Sequence, residues 1–191
     1  KRLSREKHPN KMFFSYANTV ATIDFAKQFK GHGWVGISYQ IEPDEDYNEI
    51  ILHIRFKETD VRLQQETLGI LGVNLIYGAF YKYNDPKRLL RYLYDHLDKD
   101  QLEIDTINFS GPRFADVDNR LMSLQLVKNG MTDAVMFNPD GKNILPAAIL
   151  YKKNILAFRG SFRPVTKVNM DMYEKSLKMF LKENKVEKEN T

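Results

Sequence analysis

Residues 33–58 read GWVGISYQIEPDEDYNEIILHIRFKE. Trp34 to Ile41 and Glu49 to Lys57 are rich in aromatic and β-branched residues, and an acidic, proline-containing stretch joins them. That pattern predicts a β-hairpin. In the second arm Ile50, Leu52, Ile54 and Phe56 point one way, and Ile51, His53 and Arg55 point the other. An apolar strand face needs a second layer to cover it, and the chain downstream supplies helical patterns.

The first is VRLQQETLGILGVNLIYGAFYKYNDP, a helix from about Val61 to Tyr83. Asp60 caps its start and Asn84-Asp85-Pro86 stops it. Its middle, Leu68 to Phe80, is nearly all apolar but carries Asn74 and the glycines Gly69, Gly72 and Gly78. It is shorter than the ~18 residues of a membrane span, so a buried helix is expected, its glycines letting another backbone approach. Pro86 opens a second helix to about Leu97. QLEIDTINF follows as a strand, with Leu102, Ile104, Thr106 and Asn108 on one face and Ile107 and Phe109 on the other. After the turn SGPRF, ADVDNRLMSLQLVKNG reads as a helix stopped by Gly130. TDAVMF is a strand, NPDGKN a turn, NILAFRG a strand, and NMDMYEKSLKMFLKEN an amphipathic helix. The expected fold is α/β: a mixed or parallel sheet with helices packed on it and an N-terminal β-hairpin.

The 191 residues suffice for one domain with a core. They are 42% hydrophobic and 28% charged, as in ordinary globular proteins. The absence of cysteine excludes disulfides and thiolate metal sites and fits a cytoplasmic location. Lys1 to Lys11 is basic and polar, unlike a secretion signal. The chain begins with Lys and ends in a charged tail. It is therefore read as a single α/β domain over residues 1–191, a piece of a longer polypeptide, with 1–30 and 184–191 as extended or poorly packed ends.

The net charge of +4 is mild, but its distribution is uneven. Lys152, Lys153, Arg159, Arg163 and Lys167 fall together with no acid between them, while Glu42, Asp44, Glu45, Asp46 and Glu49 form an acidic run. A basic patch in one segment favours a small anionic ligand over a long polyanion such as nucleic acid.

That basic patch contains ILAFRGSFRPVTKVNMDM, residues 155–172. Strand, Gly-Ser turn and helix in that order suit a phosphate, because free backbone N–H groups at a helix start and guanidinium groups both favour anions. Arg159, Gly160, Ser161, Arg163, Thr166, Lys167 and Asn169 are the candidate phosphate contacts; the alternative is a solvated turn. A second junction, FSGPRFADVDNR, brings Ser110, Gly111, Arg113, Asp118 and Arg120 to another turn before a helix. Were both preceding strands in one sheet, the two turns would open at one edge, where α/β sheets bind ligands. The alternative is capping by Ser110 or Asp116, with Arg120 paired to Asp116. Asp116 and Asp118 as a Mg²⁺ pair is less favoured than their role as helix-dipole partners. His32, His53 and His96 show no metal spacing and read as structural or exposed. No metal site is assigned. No Walker A, G-x-G-x-x-G or G-x-S-x-G motif is present.

Gly160, Ser161, Phe162, Pro164, Val165 and Thr166 resemble the opening motif of nucleotidylyltransferases of the nicotinate-nucleotide and phosphopantetheine adenylyltransferase type. That family continues with a Gly-His pair on the nucleotide phosphates. Here Val168 and Asn169 stand at those places, and Arg163 replaces an acidic or amide residue. Asparagine donates hydrogen bonds but carries no positive charge, and adenylyl transfer depends on charge stabilisation. Longer blocks, among them HGWVGISYQ, NEIILHIRF and LQQETLGILGVNLIYGAF, resemble a bacterial family of longer proteins. Its automated names include nicotinate-nucleotide adenylyltransferase and TonB-dependent receptor; no barrel strands or plug signature accompany the second. The resemblance implies a nucleotide ligand, with ATP and Mg²⁺ as cofactors only if the chain is catalytic. The catalytic residues stay unknown. The alternatives are a non-catalytic interaction domain, forming a homo-oligomer through residues 68–83 without a membrane partner, and, less favoured, an RNA-binding module using the basic segment.

Overall fold

The computed structural model describes residues 6–21 and 31–183. Residues 1–5, 22–30 and 184–191, where the ends were expected to be extended or poorly packed, lie outside the described residues; of the rest of 1–30, Phe14–Asn18 is a strand of the sheet. The chain divides into two compact units, Lys1–Leu145 and Pro146–Thr191.

The first unit is built on one four-stranded sheet in the order β1-β2-β3-β4, with strands β1 (Phe14–Asn18), β2 (His32–Tyr39), β3 (Asn48–Phe56) and β4 (Leu102–Ser110). The predicted hairpin is β2–β3, paired from His32 with Arg55 to Tyr39 with Asn48. β1 is an edge strand that sequence patterning did not place, because FSYAN is short and lacks an apolar alternation. The α/β class holds. Within it every pairing is antiparallel, where the strand–helix alternation had suggested a mixed or parallel sheet. A single helix between neighbouring strands returns the chain for a parallel partner. Here two helices, α1 (Val61–Tyr81) and α2 (Pro86–Tyr92), separate β3 from β4.

One face of the sheet forms the core. Val35, Ile37 and Tyr39 of β2, Ile50, Leu52, Ile54 and Phe56 of β3, and Leu102, Ile104, Ile107 and Phe109 of β4 are all buried. α1 covers it with Gln64, Thr67, Leu71, Leu75, Gly78 and Ala79, at the spacing of one helical face. Asp60 caps α1 through the N–H groups of Arg62 and Leu63. Burial of each large aliphatic side chain stabilises by about 1.5–3 kcal/mol.

Asn74, buried in this apolar helix, donates from Nδ2 to the carbonyls of Leu93 (3.1 Å) and Asp95 (2.7 Å). It ties down the end of α2, which stops at Tyr92 and continues as turns to His96 rather than as helix to Leu97. His96, with φ +56°, marks the break. Two glycines of α1 admit side chains, not a second backbone: a Cβ at Gly72 would lie 2.8 Å from the Tyr16 hydroxyl, and one at Gly78 would lie 3.3 Å from Leu89 Cγ, while Gly69 faces open space.

α3 (Asn119–Lys128) begins later than Ala115, after a short 3-10 turn at Pro112–Phe114. β5 (Met136–Phe137) and β6 (Asn143–Ile144) form a separate small hairpin about the predicted NPDGKN turn. Thus TDAVMF contributes only its last two residues to a strand.

In the second unit, α4 (Pro146–Leu150) and α5 (Lys167–Phe180) are helical, and residues 154–160 form no strand. The predicted strand NILAFRG is therefore absent from any ladder, so the premise of two turns opening at one sheet edge does not hold. ILAF is apolar enough for a strand, but a strand also needs a neighbour for its backbone N–H and C=O groups. No described helix is long and apolar enough to cross a membrane.

Candidate functional site

The residues predicted to hold phosphate lie before and at the start of α5. Arg159, Gly160, Ser161, Arg163, Thr166 and Lys167 are exposed, and Asn169 is half-buried. Thr166 is the N-cap: its Oγ1 accepts from Asn169 N–H, while Asn169 Oδ1 accepts from Thr166 N–H at 2.9 Å. This reciprocal pair is a capping box. The amide standing at the motif's histidine position is thus engaged in capping the start of its own helix. A pocket of this unit, about 400 Å³, is lined by Ile149, Leu150, Ile155, Leu156, Tyr173 and Leu177, with Lys153 and Asn154, and not by residues 159–169.

The second turn is mostly structural. Arg113 donates from Nε to Glu45 (2.6 Å) and from NH2 to Glu42 (2.9 Å), and its guanidinium lies 5.9 Å from the Tyr83 ring centroid. Its backbone N–H donates to Asn48 Oδ1. The acidic run after β2 is thereby latched to the SGPRF turn. Partial desolvation pushes the Glu45 carboxyl up, but the Arg113 guanidinium and the N–H groups of Ile41 and Glu42 hold it below its ordinary value overall. Gly111 has φ +104°, and a Cβ there would sit 2.5 Å from the Tyr47 carbonyl oxygen, so only glycine fits. Ser110 Oγ reaches Glu49 at 3.3 Å. Capping of α3 falls to Asp118, not to Ser110 or Asp116, and Arg120 pairs with Asp118 (3.0 Å), not with Asp116. The Arg120 guanidinium, joined by the backbone N–H of Arg120, holds the Asp118 carboxyl below its ordinary range. A carboxylate so engaged is not a free Mg²⁺ ligand.

Asp118 and Arg120 nevertheless lie beside a site that patterning missed: the open face of the sheet. Side chains there stand in rows across β2, β3 and β4. Gly36, Ile51 and Asn108 form one row; Trp34, His53 and Thr106 form the next; His32, Arg55 and Glu103 form the third. Over the first two rows is a trough of about 660 Å³. It is lined by Trp34, Ile51, Thr106 and Asn108 from the sheet, Val117 to Arg120 from the start of α3, and Gly141 to Asn143 from the small hairpin. A shallower groove over Ser15, Gly36 and Ser38 shares Trp34 and Ile51 with it. Trp34 is 42% exposed and Ile51 37%. Asn119 holds the rim by exchanging hydrogen bonds with both backbone groups of Phe109. Asn143 Nδ2 donates to the carbonyls of Ile107 and Asn119, leaving its buried Oδ1 without a protein donor.

Beside the trough lies an ionisable chain. His53, 2% exposed, meets Asp105 Oδ1 through Nδ1 at 2.8 Å. Its Nε2 lies 3.4 Å from Nδ1 of the exposed His32. The Trp34 ring stands edge-on to His53 with centroids 5.0 Å apart. A β-bulge makes this possible. His53 pairs with Thr106 but Ile54 pairs with Ile104, so Asp105 is an extra residue in β4. Two residues opposite one turn both Asp105 and Thr106 toward the open face. The same extra residue shifts the phase of β4: Leu102 and Ile104 before it and Ile107 and Phe109 after it all enter the core, correcting the single alternation expected for this strand.

No protein-family model matches the chain, and no curated protein or solved structure matches it.

Proposed function

We propose that the Lys1–Leu145 unit is a ligand-binding domain for a small anion carrying a planar ring, of the nucleotide class, seated in the trough on the open sheet face. The observation that carries this reading is Trp34, a large aromatic left 42% exposed on the floor of a pocket of about 660 Å³ with Arg120 and Lys142 among its walls. Binding pockets combine an apolar floor with a few placed polar groups, and an indole face suits a stacked ring. Arg120 uses Nε and one terminal nitrogen on Asp118. A guanidinium has five donors, so some remain for a ligand oxygen. The ligand class agrees with the one the nucleotidylyltransferase resemblance implies. The reading includes no adenylyl transfer, and it assigns the anion to Arg120 and Lys142 rather than to residues 159–169.

Trp34 is the chain's one tryptophan, so its emission reports on the trough directly. Titration with AMP, ATP, NaMN, NAD and inorganic phosphate is expected to quench it with at least one nucleotide and to raise Tm. Arg120→Ala with Lys142→Ala should weaken that binding about tenfold or more, while Arg159→Ala with Arg163→Ala leaves it unchanged. The reverse pattern returns the phosphate to the segment before α5. Unchanged emission and Tm with every compound at millimolar concentration overturns the reading.

A second reading, association between copies, rests on α1. Val73 (66% exposed), Tyr77 (41%) and Tyr81 (70%) form a stripe at intervals of one helical turn. Tyr77 stacks on Tyr81 and lies against Tyr92. Light scattering of the wild type and of Val73→Glu tests it: a dimer lost in the variant supports it, and a wild-type monomer rejects it.

A further inference from the structure

We propose that Asp105, His53 and His32 form a proton relay, and that Nε2 of His32 is an acid–base group acting on an anionic substrate beside Arg55. The inference stands on the relay geometry and not on the trough, so it survives or fails independently of the ligand reading above.

The proton positions follow from chemistry. A carboxylate only accepts, so His53 Nδ1 donates to Asp105 at 2.8 Å. In the neutral ring that leaves His53 Nε2 with a lone pair, and His32 Nδ1 donates to it across 3.4 Å. This is long for a hydrogen bond, as such contacts often are before substrate is bound. His32 Nε2 is then the free lone pair at the exposed end. When it takes a proton from a substrate hydroxyl or a water, the Nδ1 proton of His32 passes to His53 Nε2. The product is a neutral His32 of the other tautomer and a His53 imidazolium facing the Asp105 carboxylate. One proton enters, one is relayed, and the reverse sequence returns it.

Burial argues for a purpose. His53 and Asp105 are almost wholly enclosed, at 2% and 7% exposure, yet their chain ends at an exposed imidazole rather than at another buried group. The charged groups facing the relay among the described residues are Arg55 on β3 and Glu103 and Asp105 on β4. Arg55 stands opposite His32 in the pairing. It touches Glu103 only at 4.0 Å and is about half exposed. A base with a cation one residue pair away suits a small carboxylate or phosphate that carries a transferable proton on oxygen.

The test uses the full chain labelled with ¹⁵N. Imidazole nitrogen shifts should show His53 protonated at Nδ1 and bare at Nε2, and His32 protonated at Nδ1. Asp105→Asn keeps the side-chain shape and removes the charge; it should weaken the Nδ1–H tautomer preference of both rings. His53→Phe should release His32 from its Nδ1–H tautomer. In parallel, acylation by diethyl pyrocarbonate, followed by peptide mass spectrometry, should modify His32 about tenfold faster than the exposed His8, with the excess lost in Asp105→Asn. Should Asp105→Asn not fold, His53→Phe gives the same two readings on His32. The proposal is overturned if His53 carries its proton on Nε2. It is equally overturned if a folded variant leaves both the tautomer and the acylation rate of His32 at wild-type values.

Discussion

Asp105 Oδ1 lies 2.8 Å from Nδ1 of His53, fifty-two residues earlier in the chain, because β4 carries one residue more than β3 at that point. The contact is enclosed, so neither partner can fall back on water. Deleting the acceptor by Asp105→Ala leaves a buried N–H donor unmatched and is expected to destabilise the protein by about 2–4 kcal/mol. Urea unfolding measures it. The double variant Asp105→Ala, His53→Leu should cost less than the sum of the two single changes, since no orphaned polar group remains. Additive costs would show the two residues to be energetically independent.

Asn74 spans from α1 to the end of α2 through two hydrogen bonds to carbonyls. Asn74→Leu preserves volume and removes both donors. A loss of about 1–3 kcal/mol is expected, concentrated at the turn after α2. Amide exchange of residues 93–97 should quicken more than exchange in β3. A uniform rise across the unit would mean that Asn74 acts only through global stability.

The Glu45–Arg113 latch sets a dependence on acid. Glu45 titrates below its ordinary 4.5 in the folded chain. Its contribution is therefore complete above that value and is lost as pH falls through the lower folded value. Asp118, held down by Arg120, acts in the same sense. Tm should fall between about pH 5 and 3, and Glu45→Gln should shrink that fall while lowering Tm at neutral pH. An unchanged acid profile in Glu45→Gln would place the acid sensitivity elsewhere.

Much of the first unit was legible because its signals are local. The alternation Ile50, Leu52, Ile54, Phe56 identified β3 and its core face. Asp60 and Pro86 marked helix starts that the structure keeps. What escaped depends on partners distant in sequence. Nothing in LEIDTINFS announces a bulge, so the phase of β4 was read as constant and Asp105 was not turned toward His53. One clue was available: His53 is an ionisable residue in mid-strand, on the face opposite the core residues, and the hairpin register puts His32 diagonal to it. The stretch 154–160 failed for the converse reason. Its apolar run satisfies a local rule, but no neighbouring strand completes it. The GSF-PVT match was equally local, and what its last position does, with Asn169 capping α5 beside Thr166, is visible only in three dimensions.

The irregularity at Asp105 is a matter of chain length, not of side-chain choice. Replacing the aspartate would silence the relay yet keep the kink in the ribbon. Deleting it would put β4 into one unbroken pleat, and either Leu102 and Ile104 or Ile107 and Phe109 would be driven out of the core. The Asp105–His53 contact and the hydrophobic interior are therefore inherited as a single insertion, and neither can be re-engineered by trimming this strand without forfeiting the other.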